Sequence, residues 1–360
     1  MNDRRILRYF LGGNTCRGFY SLYDSFVSLA DGTFLWIIKG GPGCGKSGFM
    51  KMIGSAAEKA GLNVEYAVCS GDPSSLDGVY IPALKTAYAD GTAPHLADPH
   101  IAAVDSACIN LGAFYDYGAI GVYKKELKEL NDACSASYKK AYSMLAAAGQ
   151  LKTGWQSSFT SEPDKEAAVR RANGIALHEF GKRRKEKGRI TYRFLSALTC
   201  RGSVAFPETL TALCKRFYVF ENRLQLADAA LQHLAQSALE AGHDVIMCPD
   251  PLTPEALEAV LVPSLSLGFL SSGTTLSEVP GARHIRLDAL ADSVRLKKAK
   301  PELRRSEKAK EALLNEAYSA FAEAKSVHDR IEAILNPHVD FEGVAALARE
   351  HIAALGLKLP

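Results

Sequence analysis

Between an apolar strand-like run, Phe34-Leu35-Trp36-Ile37-Ile38, and a helix-like run from Gly48 to Ala60, the chain reads Gly40-Gly41-Pro42-Gly43-Cys44-Gly45-Lys46-Ser47. Strand, glycine-rich turn and helix in that order form the pattern of a phosphate-binding P-loop, the Walker A motif. Backbone N–H groups and a helix N-terminus close around a β-phosphate only where side chains stay out of the way, which accounts for the glycines. Lys46 would bring a mobile positive charge to the β- and γ-phosphates, and the Ser47 hydroxyl would face Mg²⁺. The expected cofactors are therefore ATP and Mg²⁺, with the nucleotide held by Gly40 through Gly48. ATP is expected over GTP because the guanine-reading Asn-Lys-x-Asp pattern is missing from the sequence.

The rest of the composition narrows the setting. A chain of 360 residues with 47% apolar content has room for two or three cored domains. Its net charge of +3 gives no overall field toward nucleic acid or anionic lipid. Met1 to Arg8 lacks the apolar stretch of a signal peptide and no run reaches membrane-spanning length, so a cytoplasmic protein with no membrane or nucleic-acid partner is expected. The eight cysteines are scattered without a Cys-x-x-Cys pair, which points to free thiols. Cys44 stands apart because it lies inside the phosphate loop, where an empty site would leave it open to oxidation or alkylation.

A duplication runs through the sequence. With Gly61 set against Gly242, an offset of 181, Phe34–Ile38 faces Lys215–Val219 and the helix Phe49–Leu62 faces Ala230–His243. Val64–Cys69 then matches Val245–Cys248 across a two-residue deletion, and Leu76–Leu84 matches Leu257–Leu265. Upstream, Arg8-Tyr9-Phe10-Leu11 and Thr15-Cys16-Arg17-Gly18 reappear as Tyr192-Arg193-Phe194-Leu195 and Thr199-Cys200-Arg201-Gly202. Opposite the P-loop the second copy reads Glu221-Asn222-Arg223-Leu224-Gln225-Leu226-Ala227-Asp228, with no glycine, no lysine and two acids that repel phosphate. The second copy is thus expected to be structural or regulatory.

Helical arms rich in Ala, Leu, Lys and Glu follow each copy, from about Tyr123 to Leu151, Ser161 to Lys187 and Arg295 to Leu335, with a last helix from Phe341 to Leu355. Ser161-Glu162-Pro163-Asp164 reads as a helix start. The expected architecture is α/β, a P-loop NTPase-type parallel sheet flanked by helices, duplicated, with a helical-hairpin arm after each copy. Its divisions are a nucleotide-binding domain at 1–120, an arm at 121–188, a degenerate copy at 189–290 and a C-terminal arm at 291–360.

With these motifs in place, the chain resembles an uncharacterised bacterial family of tandem P-loop proteins described as ATP-binding proteins or ATPases. The resemblance rests on Gly12–Thr15, Gly18–Ser25, the P-loop, Cys69-Ser70, Leu76–Val79 and Asp90–His95. It implies the fold and nucleotide binding. Members often keep a P-loop in the second half as well, and this chain departs from them there.

A P-loop needs a second acid at the end of a neighbouring strand to complete the metal shell. Asp90 fits: it closes the run Leu84–Ala89, a glycine follows it, and its counterpart is Ser271, lost together with the second P-loop. An ordinary Asp-Gly turn is the competing reading. Lys46 and Asp90 are therefore the expected catalytic residues, with Ser47 and Asp90 on the metal. Asp90 precedes Gly91, so the Asp-Glu pair of motor-type ATPases is missing, and Asp72, Asp77 and His95 are the candidates to activate water. Arg17 or Arg201 could act as an arginine finger across the two copies, or simply form a surface salt bridge. The run Lys182-Arg183-Arg184-Lys185-Glu186-Lys187-Gly188-Arg189 reads first as a solvated helix end and second as a phosphate lid.

Three functions compete. The first is a slow Mg²⁺-dependent ATPase with one site. The second is a small-molecule or nucleotide kinase whose acceptor pocket is formed by Cys69 to Asp77. The third is a nucleotide-gated module whose arms hold a protein partner.

Overall fold

The computed structural model describes residues 5–92, 101, 103–182, 184–221, 224–273, 276–290 and 293–358. The first copy contains β1 (Ile6–Tyr9), a hairpin of β2 (Gly12–Thr15) and β3 (Gly18–Ser21), β4 (Phe34–Lys39), α1 (Lys46–Lys59), β5 (Val64–Val68), β6 (Leu76–Ile81), β7 (Thr86–Asp90) and β8 (Ser106–Asn110). After the short α2 (Tyr117–Ile120) come the arm helices α3 (Lys124–Phe159) and α4 (Glu162–Glu179). The second copy contains β9 (Ile190–Tyr192), the hairpin β10 (Ser196–Thr199) and β11 (Gly202–Ala205), α5 (Pro207–Leu213), β12 (Arg216–Glu221), α6 (Ala227–Glu240), β13 (Val245–Pro249), β14 (Leu257–Val262), β15 (Leu267–Ser271) and β16 (Arg283–Arg286). Helices α7 (Ser293–Leu335) and α8 (Phe341–Ala354) follow.

The two six-stranded sheets have the same order, β1-β5-β6-β7-β4-β8 and β9-β13-β14-β15-β12-β16, so the repeat read from sequence is a repeat of topology. The sheets are mixed, where an all-parallel sheet was expected: β6 is antiparallel to both β5 and β7, and β14 to β13 and β15. Chain length explains this. Only residues 69–75 and 82–85 join these strands, too few for the crossover that parallel neighbours need. The register also removes the two-residue deletion. Ala67 pairs with Gly78 as Cys248 pairs with Ala259, and both copies bulge at the next residue, so the offset stays at 181 and Ala67, not Cys69, corresponds to Cys248.

A local two-fold relation joins the copies. Phe10 N–H donates to Phe194 O at 2.8 Å and Phe194 N–H donates to Phe10 O at 3.0 Å, a reciprocal pair between equivalent residues. Both rings are fully buried, in one core cluster with Leu7, Tyr9 and Ala197.

The arms cross between copies. The Ala168–Ala172–Ala176 face of α4 packs on α6 of the second copy, with Ala230, Leu231 and Leu234. The Val344–Ala348–Ile352 face of α8 packs instead on α1 of the first copy, with Phe49, Met50 and Ile53. The offset between these two faces is 176 residues. Burying one Val or Ile stabilises by about 1.5–3 kcal/mol, so the first sheet depends appreciably on a helix that arrives last. The long helices α3 and α7 run antiparallel along each other, Leu130 meeting Ile331 and Leu335 while Ala141, Leu145 and Ala148 meet Ala317, Ala320 and Phe321.

The start of α4 is the capping box that Ser161–Asp164 foretells. The Ser161 side chain and the Asp164 carboxylate exchange bonds with each other's backbone, Ser161 N–H donating to Asp164 Oδ2 at 2.8 Å. Ser161→Ala is expected to cost about 1 kcal/mol, measurable as a lower urea midpoint at unchanged m-value.

Candidate functional site

The loop between β4 and α1 turns sharply enough to need glycine at two positions. Gly43 and Gly45 take φ of 74° and 88°, where a side chain is strained. Gly45 is the residue from which α1 starts, and Phe49 N–H donates to its carbonyl at 2.9 Å. The free N–H groups of the first turn of α1 therefore open onto a cavity of about 710 Å³ whose floor is Gly40 through Gly48.

The three side chains expected to carry chemistry meet there. Lys46 Nζ lies 3.7 Å from Asp90 Oδ2 and folds back on its own loop, donating to Gly40 O at 2.8 Å and Gly41 O at 3.0 Å. Asp90 is the last residue of β7, paired in parallel register with Ile38 of β4, which is why the acid emerges beside the loop. Its Oδ1 accepts from Thr92 N–H at 2.8 Å and from Thr92 Oγ1 at 2.5 Å, bonds that fix the carboxylate's direction. Ser47 Oγ accepts from Leu76 N–H at 3.0 Å, which ties the loop to β6 and leaves a lone pair for a further partner. Ser47 and Asp90 supply hard oxygen donors, the chemistry Mg²⁺ prefers.

The other expected residues divide. Asp77 is buried and on the cavity wall, beside Tyr23, whose hydroxyl pKa is raised by burial and by the Asp77 carboxylate. Asp72 also lines the cavity. It forms the expected turn, accepting from Ser74 N–H at 2.9 Å, and is held by Lys325 at 3.4 Å and Arg201 at 3.5 Å. Burial alone would raise its pKa, but the Ser74 N–H and the Lys325 ammonium hold it below the ordinary carboxylate value. His95 lies outside the described residues. Arg201 crosses between the copies and bonds Ser74 as well as Asp72, so its guanidinium is occupied at the edge of the site. Arg17, its counterpart, pairs on the surface with Glu255 at 2.6 Å, away from the cavity.

Two expectations need correction. Cys44 is buried, and burial pushes its thiol pKa up, opposite to what makes a thiolate reactive. The basic run is not a lid. Arg184 and Gly188 N–H donate to Glu240 and Leu239 carbonyls at the C-terminus of α6, Arg189 pairs with Asp31 at 2.6 Å, and no described residue of the run lines the cavity. Nor is it a helix end: α4 stops at Glu179, and the described residues of the run form a non-helical segment laid against the negative C-terminus of α6.

Sequence reading missed the cavity's roof. Lys325, His328 and Glu332, spaced three or four residues apart on one face of α7, line it from the C-terminal arm, with Asn336 just past the end of that helix. Beyond Asp90 and Asp77 the cavity continues to Asn14, Phe19, Tyr138 and Tyr142. Tyr142 hydroxyl donates to Asn14 Oδ1 at 2.8 Å, and Asn14 Nδ2 to Leu198 O of the second copy at 2.8 Å. Only the helical spacing on α7 could have signalled any of these.

The equivalent place in the second copy is filled by the protein itself. Asp228, at the position of Ser47, keeps the same bond, accepting from Leu257 N–H at 2.8 Å as Ser47 accepts from Leu76. Lys152 of α3 reaches in to Asp250 Oδ2 at 2.5 Å, and the Gln225 side chain, at the position of Cys44, donates to the Lys152 carbonyl. Asp250 Oδ1 accepts from Leu252 N–H, Thr253 N–H and Thr253 Oγ1 at 2.9 to 3.0 Å. An internal ammonium thus neutralises Asp250 in this site.

Among the described residues, no helix is long and apolar enough to cross a membrane. No protein-family model, curated protein or solved structure matches the chain.

Proposed function

We propose that the chain is a Mg²⁺-dependent ATP-binding protein that hydrolyses ATP slowly at one site, the P-loop Gly40–Ser47 of the first copy, while the second copy is structural or regulatory. The observation that supports this most is the convergence of Lys46, Ser47 and Asp90 on one cavity at a helix N-terminus. In this reading the loop N–H groups and Lys46 hold the β- and γ-phosphates, and Ser47 and Asp90 hold Mg²⁺, which would offset charge on the transferring phosphoryl group. Asp77, on the wall next to these groups, is the acid placed to orient a water. The family resemblance of the first half points the same way.

A kinase is the second reading, favoured by the extension of the cavity to Phe19, Tyr138 and Tyr142, which leaves room for an acceptor past the metal side. The face that α7 turns to the cavity favours a nucleotide-gated partner platform as the third. Radiolabelled ATP with Mg²⁺ and a metabolite mixture separates them by free phosphate, a labelled product or bound ATP alone. Asp90→Asn is expected to retain ATP binding in the absence of metal, lose the stimulation by Mg²⁺, and slow turnover about 100-fold. Unchanged Mg²⁺ dependence in that variant would remove Asp90 from the metal site.

A further inference from the structure

We propose that Lys325 of α7 binds the γ-phosphate, a lysine finger delivered to the first copy's site by the arm that follows the second copy. This rests on the P-loop reading and assigns the γ-phosphate a ligand that the motif does not contain.

The position supports it. Lys325 lines the cavity that Lys46, Ser47 and Asp90 share. Its ammonium lies 3.4 Å from Asp72, in the same short segment whose Leu76 N–H bonds Ser47 Oγ, and so stands on the metal side of the loop. Were Ser47 and Asp90 to hold Mg²⁺, the γ-phosphate would lie on their side of the loop. The ammonium has three N–H donors. Asp72 and Asp329 take two of them, and the third is available to an oxygen in the cavity. The side chain is a quarter exposed, which lets it move toward a ligand.

The second copy provides an independent argument. There too a lysine comes from the long helix that follows the other copy: Lys152 of α3 enters the degenerate site and neutralises Asp250. The buried faces of the arms fix their correspondence, Ala141, Leu145 and Ala148 matching Ala317, Phe321 and Ala324 at an offset of 176. In that register Lys152 matches His328, three residues from Lys325, or about one helical turn along the same face. The architecture therefore brings a cation from the opposite arm to each site. In the degenerate site its counter-charge is a fixed aspartate. In the first site it is the partly exposed Asp72, which a triphosphate can supplement or replace.

The test compares ADP with a non-hydrolysable ATP analogue, AMPPNP, by calorimetry with Mg²⁺ on the full chain. For Lys325→Met, AMPPNP affinity is expected to fall about 10- to 100-fold while ADP affinity stays within about twofold, and Lys325→Arg is expected to restore most of the loss. Asp72→Asn, which removes the competing carboxylate, is expected to raise the preference for AMPPNP over ADP. Thermal melts confirm that each variant is folded. Equal losses for both nucleotides, or no loss for either, would show that Lys325 only neutralises Asp72 and would overturn the inference. If wild-type protein binds neither nucleotide, the P-loop reading itself fails and takes this inference with it.

Discussion

Lys46→Ala is expected to reduce ATP turnover by about a thousandfold or more and to weaken ATP binding below easy detection, in a protein that still folds. The ammonium now rests on the Gly40 and Gly41 carbonyls, 3.7 Å from the Asp90 carboxylate. Removing it would bring a triphosphate next to Asp90 with no lysine from the loop between them. The fold should survive, because Lys46 is the first residue of α1 and alanine is a good helix former, but Asp90 is left without its cation and the protein should melt lower. Phosphate release and calorimetry with the same preparation decide the matter. Turnover that survived would mean that Gly40–Ser47 is only a turn linking a strand to a helix.

Lys152→Met is expected to destabilise the protein by about 3–5 kcal/mol at neutral pH, although it lies far from the site that binds nucleotide in our reading. Lys152 and Asp250 are each less than one-fifth exposed, and the variant would leave Asp250, with Asp228 nearby, without its cation. Burial alone would raise the pKa of Asp250, but Lys152 and Thr253 hold it below the ordinary aspartate value. A carboxylate with a lowered folded-state pKa stabilises fully above its unfolded pKa, about 4, and loses that contribution as pH falls through the folded value. The cost of Lys152→Met should therefore be constant through neutral pH and shrink in acid. Urea titrations from pH 8 down to pH 3 measure it. A cost near zero at pH 7 would show that the acids of the second copy are balanced by something other than this lysine.

The sequence made the local parts of this molecule legible and left the distant ones hidden. Gly40–Ser47 could be read because strand, turn and helix are contiguous and each carries its own signal. Asp90 followed from the end of a strand-like run, and Ser161 from a cap. The repeat survived because topology preserves spacing: every strand of one sheet has a counterpart in the same place in the other. The antiparallel direction of β6 is not legible in its apolar run, which has no direction; only the short loops on either side of it constrain that. The similar cysteines at 69 and 248 misled the alignment, which hydrogen-bond register corrects. The roof of the cavity was hidden for another reason. Lys325 and Asp72 are far apart in the chain, and nothing in a solvated-looking helix says which of its charged residues faces a site 250 residues earlier.

The crossing of the arms also sets an order of completion during synthesis. The second sheet can be covered as soon as it forms, because α4 has already left the ribosome when β9 follows it. The first sheet, which carries the glycine-rich loop, is made earliest and must keep the Phe49–Ile53 face of α1 uncovered until Val344, Ala348 and Ile352 emerge. The roof residues of α7 come just before them. A nascent chain thus holds its glycine-rich loop almost from the start but completes the cavity lining only with Asn336 and Phe341 and covers α1 only with Ile352, so chains truncated before these residues lack both.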